Sequence, residues 1–198
     1  MDLNKESYNQ IADEWEISRK KSFLSSLIVD FAQRIKPGGK ILDVGCGCGY
    51  PIAFYLAHQG FSVTGIDFAE HMIKKATALQ LPGAQFYHTD FFDFETDVLF
   101  DGVMAFDSFF HFPHKSQRSI YPKLANLIRT GGYALFTHGL TDGEMTNDMF
   151  GKPFYYSSLD KKVVERLLYL NELKIEYSLE KYIEKNTDRE WVVLCSKI

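Results

Sequence analysis

Lys40-Ile41-Leu42-Asp43-Val44-Gly45-Cys46-Gly47-Cys48-Gly49 is a short, mostly apolar run that ends in three alternating glycines. A short apolar run bounded by turn residues reads as a buried strand. The glycines accept backbone conformations that other residues avoid, and they let another group approach the main chain closely. Ile52 to His58 then reads as a helix that stops at Gly60. The loop therefore joins a strand end to a helix start, where free N–H groups point outward.

The same alternation continues along the chain. Phe61 to Ile66 reads as a second strand, Ala84 to Thr89 as a third, Leu99 to Phe106 as a fourth and Tyr133 to Thr137 as a fifth. Ala69 to Leu79 is helical, with Met72, Ile73, Ala76 and Leu79 on one face. Lys115 to Ile128 is an amphipathic helix broken by Gly131-Gly132. Ser157, with Asp160 three residues on, reads as the capping pair of a last helix striped by Val163, Val164, Leu167 and Leu168. Leu173 to Glu184 and Arg189 to Lys197 are extended runs joined by Lys185-Asn186-Thr187-Asp188, a hairpin signal. Before the first strand, Tyr8, Ile11, Ala12 and Trp15 keep helical spacing. Leu24, Leu27, Ile28, Phe31 and Ile35 do so again until Pro37-Gly38-Gly39.

This order predicts an α/β fold: one Rossmann-like, doubly wound domain over residues 1–198. Its seven-stranded, mostly parallel sheet ends in an antiparallel C-terminal hairpin, with helices on both faces. Residues 1–36 form N-terminal helices. The segment Gly139–Tyr156 is a long connection that reads as a functional loop. Its Phe150, Phe154, Tyr155 and Tyr156 argue for order, because disordered segments are poor in aromatics.

Hydrophobic residues make up 45% and charged residues 24% of the chain, with a formal net charge of -4. That balance does not ask for nucleic acid as a partner. The first residues carry no signal-peptide pattern, and no apolar run is long enough to span a membrane. Cys46 and Cys48 are too close together for an unstrained bridge, and they read as small residues in a crowded loop rather than metal ligands. A cytoplasmic protein with reduced thiols is expected. Oligomeric state is not legible.

A glycine loop alone indicates only a nucleotide-like ligand. Asp67, at the end of the next strand, is placed to accept hydrogen bonds from a ribose diol. Dinucleotide sites want a third glycine where this chain has Tyr50. Asp43, inside the strand, would repel a pyrophosphate but suits the ammonium group of a methionine tail.

With those residues in place, the segment Ile41–Gly49 resembles the first motif of class I S-adenosylmethionine (SAM)-dependent methyltransferases of the small-molecule kind. Gly65-Ile66-Asp67-Phe68-Ala69-Glu70-His71-Met72 is similar to their second motif. The resemblance implies that Asp67 holds the ribose and that Phe68 packs on adenine, with Met72 nearby. Thr89-Asp90-Phe91-Phe92 resembles the segment in which an aspartate meets the adenine amino group, which would be Asp90 beside Phe91. Phe100 to Asp107 resembles the fourth-strand motif beside the methionine moiety. Tyr8 to Trp15 is similar to an N-terminal helix folded over the cofactor, whose tyrosine reaches the cofactor carboxylate. The implied cofactor set is Tyr8, Trp15, Asp43, Gly45, Cys46, Gly47, Asp67, Phe68, Met72, Asp90, Phe91 and Asp107, with no metal.

SAM carries its own activated methyl group, so a base is needed only if the acceptor arrives protonated. His111 and Asp107, in the segment after the fourth strand, are the candidate catalytic residues; His114 is a further candidate, and His138 is a second choice. Phe109, Phe110 and Phe112 read as pocket lining or core. Phe106-Asp107-Ser108-Phe109 stands where methyltransferases of exocyclic base amines carry an Asn/Asp-Pro-Pro-aromatic motif, and no Pro-Cys nucleophile is present. A small-molecule acceptor is therefore expected, with the Gly139–Tyr156 segment on the substrate side. RNA or protein methylation on the same fold, and a non-catalytic SAM-binding module, are the alternatives.

Overall fold

The computed structural model of the protein describes residues 2–198. Five strands alternate with helices: β1 (Lys40–Val44), β2 (Ser62–Asp67), β3 (Ala84–His88), β4 (Phe100–Ala105) and β5 (Ile128–His138). Two hairpins follow, β6 (Gly143–Met149) with β7 (Lys152–Ser158), and β8 (Leu173–Glu184) with β9 (Thr187–Lys197). The helices are α1 (Asp2–Gln10), α2 (Ala12–Lys21), α3 (Ser26–Gln33), α4 (Ile52–His58), α5 (Glu70–Ala78), α6 (Gln117–Leu127) and α7 (Lys161–Leu170).

The main sheet runs in the order β3-β2-β1-β4-β5-β9-β8. β1 to β5 pair in parallel, and β9 is antiparallel to both β5 and β8. The expected seven-stranded, mostly parallel sheet with a C-terminal hairpin is thus present. Strand order turns back between β1 and β4. In open sheets of this kind ligands sit beyond the carboxyl ends of the strands at that switch point.

Side-chain alternation explains why both faces are covered. Leu42, Val44, Val103, Phe136 and Val193 point to a core under α6 and α7. Ile41, Val63, Met104, Leu135 and Val192 point to a second core under α3 and α4. Each such side chain stabilises the fold by about 1.5–3 kcal/mol when fully buried. Gly102, in β4, has no side chain because α3 and the residues just after it press there: a Cβ would lie 2.6 Å from Phe31 Cζ and 2.3 Å from Ile35 Cδ1. No helix among the described residues is long and apolar enough to cross a membrane.

Three boundaries differ from the sequence expectation. The segment 139–156 is not a loop: Gly143 to Ser158 forms an antiparallel hairpin, a separate two-stranded sheet. Its turn, Phe150-Gly151, has both residues at positive φ (55° and 72°), the geometry of a tight two-residue hairpin turn. A phenylalanine at the first turn position hides that signal. The last helix starts at Asp160, whose Oδ1 accepts from Lys162 N at 2.9 Å, and not at Ser157. Ser157 lies in β7 and donates its hydroxyl to the Phe112 carbonyl at 2.6 Å. Finally, β5 begins at Ile128 and takes in Gly131-Gly132, with a register shift against β4.

Candidate functional site

The glycine loop is tied to the neighbouring strand. The Gly45 and Cys46 N–H groups donate to the Ile66 carbonyl at 2.8 and 3.1 Å. Gly45 has φ +74°, and a Cβ there would lie 2.5 Å from Ser108 Cβ, so the bare backbone of the loop packs on the Ser108 side chain in the turn after β4. Ser108 Oγ in turn donates to the Val44 carbonyl at 2.8 Å. Gly47 N–H donates to Asp67 Oδ2 at 2.9 Å, and Ala69 N–H to Oδ1 at 2.8 Å. Each carboxylate oxygen keeps a further lone pair for a ligand hydroxyl. Burial raises the Asp67 carboxyl to about 6, against the pull of those two N–H groups.

Asp43 is buried, and its Oδ2 has no hydrogen-bond partner among the described residues. Burial first, and the charge of Asp67 second, push it up to about 7, while Arg19 works in the opposite direction. A buried, unpartnered carboxylate oxygen is costly. It fits a site completed by a hydrogen-bond donor or a cation.

Helices α1 and α2 lie over the loop. Tyr8, Trp15, Phe68, Tyr50 and Met72 form a small cluster there with Ala12, Cys48 and Ala69. Trp15 rests on Gly47, where a Cβ would come 3.3 Å from its Nε1. The cleft beneath is lined by all of the expected cofactor residues except Asp90. It is tight, with about 90 Å³ of free space. Small-ligand pockets usually hold some 300–1,000 Å³, so a nucleoside with an amino-acid tail must push side chains of the cover aside.

Asp90 does not line the cleft. It starts a turn, with Oδ1 accepting from Phe92 N at 2.7 Å and Oδ2 buried without a partner among the described residues. Its neighbours Thr89 and Phe91 line the cleft instead. Arg19, which the sequence reading did not single out, lines it too; the guanidinium carbon sits 5.3 Å from the Trp15 ring centre. The signal was available, since Arg19 lies one helical turn beyond Trp15 on α2.

Tyr8 does not point its hydroxyl to an open carboxylate position; the hydroxyl meets His111 Nε2 at 2.9 Å. On the other side of the ring, Nδ1 faces the Tyr155 carbonyl at 3.0 Å. The Asn4 amide nitrogen also lies 3.1 Å from Nδ1, so that ring nitrogen sits between an acceptor carbonyl and an amide donor while Nε2 is held by Tyr8. Asn4 completes the joint: it accepts from Tyr155 N at 2.7 Å and donates to Tyr155 O at 2.9 Å, as a strand neighbour would. Burial pushes the imidazole down to about 4. His111 thus ties α1, the turn after β4 and β7 together as a neutral ring.

Asp107 stands at φ +61°, a conformation costly for a non-glycine residue and typical of functional turns. Arg189 holds both of its oxygens, Nε to Oδ1 at 2.8 Å and Nη2 to Oδ2 at 2.7 Å. Both expected catalytic groups thus have partners in the fold, His111 in Tyr8 and Tyr155 and Asp107 in Arg189. Asp107 also borders a second cavity of about 520 Å³, between the ends of β5 and β9 and the β6–β7 hairpin. His138 and Phe110 line that cavity, while Phe109 lies wholly in the core and His114 contacts Asp142 at 3.2 Å.

Comparisons with known proteins bear on the fold and on the segment that carries the glycine loop. Residues 41–132 match the family described as methyltransferase domain. A protein of Geobacillus sp. (strain WCH70) named as a methyltransferase is 32% identical over 65% of this chain and 53% of its own length. A SAM-dependent methyltransferase structure from Methanosarcina mazei has a TM-score of 0.71 at 23% identity, covering 89% of this chain and 99% of the other. The structure of 1,6-didemethyltoxoflavin-N1-methyltransferase from Burkholderia thailandensis has a TM-score of 0.74 at 16% identity, covering 97% and 84%. Segment 41–132 is similar to the methyltransferase-domain family, and the chain shares the fold of these SAM-dependent methyltransferase structures. Among the first curated relatives, the chain spans between 28% and 53% of their length.

Proposed function

We propose that this protein is a SAM-dependent methyltransferase that moves a methyl group to a small-molecule acceptor. One observation carries the reading: a buried carboxylate with an unpartnered oxygen, Asp43, and the guanidinium of Arg19 line the same cleft. That pair of opposite charges complements a zwitterionic amino-acid end, with the ammonium at Asp43 and the carboxylate at Arg19. Asp67, already accepting two backbone N–H bonds, uses its remaining lone pairs for the ribose hydroxyls. Phe68, Met72 and Phe91 offer apolar surface to a purine. A dinucleotide would bring its pyrophosphate against Asp43, which this site disfavours.

SAM, when bound, supplies a methyl group on a sulfonium, already activated for displacement. What the chain adds is position and dryness. Holding two reactants in line lowers a barrier by about 7–11 kcal/mol. The Phe106–Ser108 turn borders the donor cleft, and Asp107 borders the second cavity as well, so the acceptor side adjoins the donor side there. His111 and Tyr8 orient the cover over the cleft and do not act as bases. An acceptor that ionises by itself needs none. Three buried free cysteines suit a reducing cytoplasm.

The test is transfer from methyl-tritiated SAM in a cell extract fractionated into small molecules, RNA and protein. Label in the small-molecule fraction is expected. Label confined to RNA or protein contradicts the acceptor class, and no label from a protein that binds the cofactor contradicts catalysis.

A further inference from the structure

Arg189 holds more donors than its partner uses. Its side chain is 8% exposed, it forks onto Asp107 with Nε and Nη2, and its guanidinium carbon lies 4.3 Å from the Phe106 ring centre. Nη1 is buried and has no hydrogen-bond partner among the described residues. Arginine cannot lose its proton to escape that state. Arg189 lines the 520 Å³ cavity, whose size suits a small ligand.

The rest of the cavity narrows the ligand. Phe110 and Tyr156, whose rings lie 5.7 Å apart and 30° from parallel, give it aromatic surface on which a flat molecule can pack. Asp107 already neutralises the guanidinium. Three further carboxylates, Glu144, Asp188 and Glu190, also line the cavity. A ligand carboxylate would meet net negative charge there. A neutral carbonyl oxygen would satisfy Nη1 with no such repulsion.

We infer that this cavity takes a planar ring compound that bears a carbonyl oxygen and no negative charge, the oxygen accepting a hydrogen bond from Arg189. Calling that compound the methyl acceptor rests on the methyltransferase reading; the binding itself does not. Arg189 is then a specificity-determining residue, selecting an oxygen-bearing ring over its plain or carboxylated analogue.

Three matched probes test this by saturation-transfer NMR on the full chain: 4-quinolone, quinoline and quinoline-4-carboxylate. They are measured with and without S-adenosylhomocysteine, whose own binding is followed by calorimetry. 4-Quinolone is expected to bind at least tenfold more tightly than either analogue, and to keep binding when the donor cleft is filled. Arg189→Lys, which keeps the charge and loses the planar fork, should remove that preference. Thr187→Trp, which fills the cavity from β9, should block all three probes and covers the case in which the first variant does not fold. Equal binding of quinoline, tighter binding of the carboxylate, or indifference to both variants overturns the inference. If S-adenosylhomocysteine fails to bind while 4-quinolone still depends on Arg189, the donor reading fails and the cavity assignment stands.

Discussion

The Tyr8 hydroxyl lies 2.9 Å from Nε2 of His111, and that contact fastens α1 to the turn after β4. His111 has its folded pKa depressed to about 4 by burial, below the ordinary 6.5. Its contribution to stability is therefore complete above about pH 6.5 and is lost as pH falls through about 4. The melting temperature of the wild type should drop more between pH 6.5 and 4 than that of His111→Gln, measured side by side. Tyr8→Phe should cost about 1–2 kcal/mol in denaturant unfolding, because it leaves Nε2 unpaired in a buried site. The rate profile should show no limb near pH 6.5 from His111.

Asp43 makes the opposite prediction. Its folded pKa is raised, so the unliganded fold loses stability as pH rises through about 7. The gap from the ordinary carboxylate range is at most on the order of 4 kcal/mol. An asparagine amide recovers part of it and is itself incompletely satisfied. Asp43→Asn should stabilise the unliganded protein at pH 8 by about 1–2 kcal/mol and abolish cofactor binding. Near pH 6.5, cofactor binding should release protons as the ammonium drives Asp43 to ionise. Calorimetry in buffers of different ionisation enthalpy reads that release directly.

Arg19 separates the two halves of the ligand. Arg19→Ala should weaken S-adenosylhomocysteine about tenfold or more, the size of one charge-assisted contact of about 1.5–3 kcal/mol. Adenosine, which lacks the carboxylate, should bind the variant as it binds the wild type. Equal losses for both ligands would move Arg19 from ligand contact to general support of the cover.

Trp15 reports the cover itself. Its ring meets Tyr8 edge-on at 5.5 Å and Phe150 at 6.2 Å. The other tryptophan, Trp191, is fully buried in the core. Trp15 lines the tight cleft, so a nucleoside with a methionine tail that binds there comes against its ring. In a Trp191→Phe background, S-adenosylhomocysteine should change the fluorescence of Trp15. An unchanged spectrum at saturation would place the ligand elsewhere.

What the sequence made legible follows from how local each signal is. The strand–glycine–helix unit and Asp67 depend on neighbours within a few residues, so the parallel sheet and the donor loop read directly. Asn4 meets His111 and Tyr155 across more than a hundred positions, and nothing near any of them announces the joint. The β6–β7 hairpin was hidden because Phe150 occupies a turn position that usually carries asparagine or glycine. Asp107 read as a free acid because its partner, Arg189, stands on β9, far along the chain. Asp90 matches its motif by position, but one oxygen accepts from Phe92 N–H, and its neighbours Thr89 and Phe91 line the cleft.

The central claim is that the loop from Asp43 to Gly49, together with Asp67, holds the methyl donor. Asp67 anchors that loop through Gly47 N–H and keeps lone pairs for the ribose, so removing its carboxylate removes both. Titration calorimetry with S-adenosylhomocysteine on the wild type and on Asp67→Ala, with both shown folded by thermal melting, tests it most directly. The wild type should bind with one site and the variant should bind at least a hundredfold more weakly. Undiminished affinity in Asp67→Ala would contradict the assignment.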